Sequence, residues 1–262
     1  MVGAVVRNVA ALLVALLALA APSAASDFPP LASGPGERIL AFDADITVAG
    51  TGDLHVIETI RVRVKGERIK RGIIRALSLA ATTQDGALLT RRYQILSVTR
   101  DGHDEPYVIE VTAESMQLRI GSAESLLAQG DATYQITYRA PDQVRADGSM
   151  RELYWNVTGN GWVFGIDAAT ATIHLPDGAR ASTLKLFTGA PGSTAGDGRI
   201  VQREAGTIEA KARLPLTAGN GLTILIRWPA EPAPQRATRN ETVGPLVLVG
   251  YVILLPLAVI IL

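Results

Sequence analysis

The strongest constraint in this chain is a period of two. Leu54, Val56, Glu58, Ile60, Val62 and Val64 alternate with His55, Ile57, Thr59, Arg61 and Arg63, and only Glu58 breaks the apolar series. Alternation of this kind places one set of side chains on each face of a β-strand. The same period runs just upstream, where Leu40, Phe42, Ala44, Ile46 and Val48 form the apolar set. Ala49-Gly50-Thr51-Gly52-Asp53 lies between the two runs, so together they predict a β-hairpin. Ala132, Tyr134, Ile136 and Tyr138 repeat the pattern, as do Leu153-Trp155-Val157, Ala169-Ala171-Ile173-Leu175 and Leu222-Ile224-Ile226-Trp228. Pro141 to Ser149 reads as a loop, and Ala123 to Gln129 as one or two helical turns. Many short strands with turn residues between them, and no long helical period, predict an all-β, sandwich-like domain over residues 38–228. It is one unit or two, with a candidate break near 141–149.

The two ends have a different character. Arg7 precedes an uncharged run from Val9 to Ala21, and Ala21-Pro22-Ser23-Ala24-Ala25 supplies small residues for cleavage. That is the pattern of a secretory signal peptide over 1–25, leaving Ser26 as the mature N-terminus. Residues 26–37, with Pro29, Pro30, Gly34, Pro35 and Gly36, read as a flexible leader. Pro229 begins a Pro-rich tether over 229–242. Val243 to Leu262 carries no charge. At about 1.5 Å rise per residue it spans a hydrocarbon core of roughly 30 Å, which predicts a transmembrane helix. The chain ends at Leu262 without a basic stop, which suggests that the natural chain continues. The implied placement is the cell membrane, with residues 26–242 extracytoplasmic.

Composition excludes several classes. Twenty-five basic and 25 acidic side chains give a net charge of zero, so there is no electrostatic footprint for nucleic acid. No cysteine is present, which removes disulfide scaffolds and thiolate metal sites. His55, His103 and His174 are scattered, and no phosphate loop, nucleophile elbow or zinc-binding His-Glu-x-x-His occurs. Asp43, Asp45 and Asp53 could gather at a sheet edge around Ca²⁺, but a solvated polar face explains them more simply. No cofactor or metal is expected.

Two constellations remain. The first is Tyr154-Trp155-Asn156-Val157-Thr158-Gly159-Asn160-Gly161-Trp162, which holds two of the three tryptophans. An indole buries a large apolar area and still needs an acceptor for its N–H. The stretch is either a strand end plugging the core or a ligand platform formed by Trp155, Asn156, Asn160 and Trp162. Alternation buries Trp155 and leaves Trp162 less constrained. The second is Glu58, an acid on an apolar face. A buried carboxylate needs a partner, and Arg75, set between Ile74 and Ala76, is the candidate for a structural ion pair. The catalytic alternative pairs Glu58 with Asp43 or Asp45 in a glycoside-hydrolase cleft.

The order of motifs resembles one family. Ile39 to Val48 is followed by Gly52-Asp53-Leu54-His55-Val56-Ile57-Glu58 and by Arg71-Gly72-Ile73-Ile74-Arg75-Ala76-Leu77. Then come Tyr107-Val108-Ile109, Ile120-Gly121, Gly130 to Tyr138, and Leu153-Tyr154-Trp155-Asn156-Val157. This order is similar to that of the bacterial membrane proteins grouped as domain of unknown function 2207 (DUF2207). The resemblance covers about Arg38 to Trp228. It implies an exported β-rich domain followed by membrane helices, and it transfers no catalytic residue. The expected function is a membrane-anchored interaction module without catalysis, binding an envelope protein or a second copy of itself. The alternatives are a glycan-binding module using Trp155 or Trp162, and an envelope hydrolase.

Overall fold

The computed structural model describes residues 36–230 apart from 83–85, 87 and 205. The signal segment, all but the last two leader residues, the tether beyond Ala230 and the apolar segment 243–262 lie outside the described residues. Among the described residues no helix is long and apolar enough to cross a membrane.

The described chain is all-β. Its strands, in order, are β1 Arg38–Val48, β2 Leu54–Val64, β3 Gly72–Ser78, β4 Ala80–Thr82, β5 Leu88–Thr90 and β6 Gln94–Arg100. Then follow β7 His103–Asp104, β8 Tyr107–Val111, β9 Ser115–Gly121, β10 Gly130–Ala140, β11 Val144–Asp147 and β12 Met150–Asn156. The last are β13 Ala169–His174, β14 Thr183–Gly189, β15 Gly198–Glu204, β16 Thr207–Ala212 and β17 Gly221–Pro229. The main sheet runs β15-β16-β13-β1-β2-β10-β6-β7. A four-stranded sheet runs β11-β12-β17-β14, a three-stranded sheet runs β3-β9-β8, and β4 and β5 form a separate hairpin. The pairings within these sheets are antiparallel except β1 with β13, which is parallel.

The period-two runs do what alternation requires. In β2 every second residue from Leu54 to Val64 is buried, Glu58 included. In β1 the register slips between Ile39 and Ala41, so Ile39 takes the buried place that strict alternation assigns to Leu40. A bulge adds one residue and re-aims the strand start. The inner face of β1, β2 and β10 meets side chains from β3, β12 and the loop after β12. Tyr93 stacks edge-on against Tyr138 of β10 and also touches Trp155 of β12, while Phe42 of β1 meets Trp162. One contiguous core runs from Ile39 to Trp228.

Three local expectations need correction. Residues 123–129 form a turn and irregular chain rather than helix. Pro141–Ser149 is not all loop: β11 forms within it, and its start is tied to the first hairpin because Gln143 N and Val144 N donate to Gly52 O. Glu37, placed in the flexible leader, is anchored. Its Oε1 accepts from Lys65 N and Glu67 N, and its Oε2 from Arg68 N and Ile69 N, at 2.7–3.1 Å. These four amides make a basket at the end of β2. Burial works against the Glu37 charge, but the amide hydrogen bonds prevail and lower its pKa from the usual 4.5.

Candidate functional site

Glu58 sits on β2 between Ala44 and Ile136 of the neighbouring strands. Nothing on its own sheet neutralises it. Arg75 reaches it from β3: Nε donates to Oε2 and Nη2 to Oε1, both at 2.7 Å. The Tyr138 hydroxyl donates to Oε1 at 2.7 Å. Arg75 also donates through Nη1 to Ala76 O, and its guanidinium lies 5.5 Å from the Phe42 ring centre and 5.8 Å from that of Trp162. Both charges are buried, Glu58 at 0 % and Arg75 at 2 % exposure. Burial opposes the Arg75 charge, but Glu58 overrides it and raises the guanidinium pKa. Burial, and then the negative charge of Glu58, push the Tyr138 phenol well above its ordinary value. The two charges answer each other inside the core.

Asp43 and Asp45 lie on the opposite, exposed face of β1. Asp43 accepts from Thr170, Asp45 pairs with His174 at 3.2 Å, and Asp53 accepts from Asp142 N at 3.0 Å. The two-carboxylate cleft expected for a hydrolase therefore has no counterpart in Glu58 with Asp43 or Asp45: the sheet separates them. Asp43, Asp45 and Asp53 do not converge, and no metal-holding group of His, Cys, Asp or Glu occurs among the described residues.

The tryptophan stretch meets expectation at Trp155, which is buried, and departs from it at Trp162. Trp155 is 2 % and Trp162 6 % exposed. Trp162 is packed under Phe42 and Arg75, and its Nε1 donates to Thr158 O at 2.8 Å. Neither indole offers a face to a sugar, so the stacking platform is absent. Asn156 and Asn160 are engaged internally. Asn156 Nδ2 donates to Asn160 Oδ1, Asn156 Oδ1 accepts from Gly159 N, and Asn160 Nδ2 donates to Gly189 O and Gly219 O. They clamp three loops together. Gly159 has φ +73°, and a Cβ there would come within 2.5 Å of Arg75 Nη1, so the loop closes over the ion pair only with glycine.

Trp155, Asn156 and Asn160 do share a wall of one open cleft of about 1140 Å³, and Trp162 does not. The cleft lies between β3 on one side and β12, β14 and the loop 190–194 on the other. Its glycine-rich side includes Gly161, Gly189, Gly192 and Gly221. The residue that sequence reasoning missed is Arg91, on the same wall. It is 4 % exposed, its Nη2 donates to Tyr154 O at 3.0 Å, and its guanidinium lies 4.9 Å from the Trp155 ring centre. Tyr93 stands beside it; burial pushes its phenol up, against the pull of Arg91 and Arg75. The only early signal was a double arginine, Arg91-Arg92, after a strand pattern too short to read. A second missed cluster joins Glu152 to Arg145 and Arg227 at 2.8 and 2.5 Å.

The family profile for the N-terminal domain of predicted membrane proteins, DUF2207, matches residues 38–228. The uncharacterised protein YciQ of Escherichia coli (strain K12) is 35 % identical over 195 residues, which is 74 % of this chain and 30 % of that protein. The chain thus spans under a third of its relative's length. Among solved structures, native yeast LTA4 hydrolase is similar at TM-score 0.45 and 12 % identity, covering 73 % of this chain and 29 % of that one. An M1 zinc metallopeptidase from Deinococcus radiodurans follows at TM-score 0.40 and 12 % identity, covering 72 % and 42 %.

Proposed function

The chain belongs to the DUF2207 family of predicted membrane proteins, and from that premise we propose that its β-domain is an extracytoplasmic, membrane-anchored binding module that receives a polypeptide segment of an envelope protein without catalysis. The observation that carries this reading is the cleft of about 1140 Å³. It is large enough for several residues of extended chain, and concave sites of several hundred Å³ with a few polar groups are where ligands are held. Glycine on one wall lets a partner's backbone approach closely. The carboxylates seen near the core are tied into ion pairs, so binding fits the site better than acid–base chemistry. The orientation rests on the secretory pattern over residues 1–25 and the uncharged run 243–262.

The absence of native cysteine provides a clean test. Thr194 is exposed on the cleft rim, and Leu126 is 70 % exposed on a loop that does not line the cleft. T194C and L126C are made in the full chain and treated with a membrane-impermeant maleimide. L126C should label from outside the cytoplasm in intact cells. T194C should label more slowly in cells than in the purified chain, because the partner shields it. Labelling of L126C only after lysis would overturn the orientation, and equal T194C rates in cells and in purified protein would overturn occupancy of the cleft.

A further inference from the structure

Among the described residues three arginines are buried, and two have a carboxylate. Arg38 pairs with Asp167 and Arg75 with Glu58, but Arg91 has no carboxylate within salt-bridge distance among the described residues. The acceptor it does have is neutral, the Tyr154 carbonyl. Arg91 Nε has no partner at all. The Trp155 Nε1 donor is likewise buried and unpaired, and it belongs to the ring on which the Arg91 guanidinium is stacked. A guanidinium is always charged and carries five N–H donors in a planar fork. Keeping that charge out of water without an anion is unfavourable, and unmatched buried donors are rare in folded proteins.

Both donors belong to residues that line the cleft, but the two atoms themselves are sealed beneath its wall, so a ligand meets them only as the wall side chains shift. Glu114, the other charged residue there apart from Arg75, is exposed and makes no ion pair with Arg91 among the described residues. Arg75 is neutralised by Glu58. Arg91 is therefore the buried charge of the cleft that lacks its opposite.

We propose that Arg91 and Trp155 form the receptor for a carboxylate carried by the polypeptide segment that enters this cleft. A carboxylate has two acceptor oxygens, one for the guanidinium fork and one for the indole N–H. The inference rests on the binding-module reading above and names the group that the module recognises. The carboxylate comes from a chain terminus or from an acidic side chain.

The test uses the full chain in lipid nanodiscs and follows the indole N–H resonances by NMR; there are three tryptophans, and the Trp155 signal is identified by its loss in W155F. The probes are acetyl-dialanine with a free carboxylate, its carboxamide twin, and acetyl-aspartyl-alanine amide. The free acid, the aspartyl peptide or both should shift the Trp155 signal in the millimolar range, and which of them does so identifies terminus or side chain. The carboxamide twin should bind about tenfold or more weakly, the scale of a charge-assisted hydrogen bond. R91Q should abolish the difference, and R91K should retain part of it. The acid–amide comparison on the native chain stands even if an Arg91 variant fails to fold. Equal shifts from acid and amide, or none from any probe, would overturn the carboxylate receptor. Equal shifts would still leave the cleft as a binding site, a question that the T194C labelling decides independently.

Discussion

Arg75 grips Glu58 with two parallel hydrogen bonds of 2.7 Å, joining a short strand of the three-stranded sheet to the longest hairpin of the main sheet. The pair does more than cancel charge. Tyr138 joins from β10, Val157 O and Ala76 O accept from the guanidinium, and Phe42 and Trp162 flank it. Five separate chain segments meet at one ion pair, and its geometry fixes how the sheets face each other.

Removing one partner of a buried ion pair leaves an uncompensated charge and typically costs about 3–5 kcal/mol. E58A and R75A are each expected to lose stability on that scale, and E58A/R75A to lose less than their sum. Y138F should cost about 1.5–3 kcal/mol, because it removes a hydrogen bond to a charged group. Urea unfolding of the four variants checks this, and additive losses for the first pair would show that the two side chains act independently.

Gly159 and Gly102 offer a matched comparison. Both have positive φ, +73° and +81°, but a Cβ at Gly102 meets nothing within 4 Å, whereas one at Gly159 strikes Arg75 Nη1 at 2.5 Å. G102A should therefore carry only the backbone penalty of about 1–2 kcal/mol. G159A should lose clearly more, since the guanidinium must move off Glu58. Thermal unfolding of the two variants side by side is the measurement; equal losses would mean that Arg75 yields freely.

A carboxylate whose folded-state pKa lies below its unfolded value adds stability above the unfolded value and loses it as pH falls through the folded one. Glu37, held below 4.5 by the amides of Lys65, Glu67, Arg68 and Ile69, behaves this way. The native chain should lose stability on acidification below about pH 4.5, and E37Q should flatten that fall while lowering stability at neutral pH. Unfolding midpoints measured across the acid range test it; superimposable pH profiles would remove Glu37 from the account.

Alternation made β1, β2, β10 and the strand ending at Asn156 legible, because a half-buried strand writes its burial into every second residue. The same rule pointed to Glu58 as an acid on the inner face. It failed at Leu40, where a bulge shifts the phase, and at Trp162, whose burial depends on Phe42 and Arg75, far away in the chain. Glu37 and Arg91 were invisible for a related reason. The partners of Glu37 are backbone amides, which every residue has, and Arg91 gains its meaning from a cleft wall assembled from several segments. The cleft itself was half seen: Trp155, Asn156 and Asn160 do line it, and Trp162 does not.

The parallel seam between β1 and β13 has a consequence for the order in which this protein is made. Asp43 and Thr170, neighbours across that seam, are separated by 127 positions in the chain. A polypeptide that emerges N-terminus first can zip β1 to β2 at once, yet the other side of β1 stays open until residues 169–174 arrive. Pairings this distant in sequence form slowly, since the loop between them must be closed before any contact rewards it. From the completion of β2 until β13 emerges, the nascent chain thus carries a naked β edge at the centre of its future sheet.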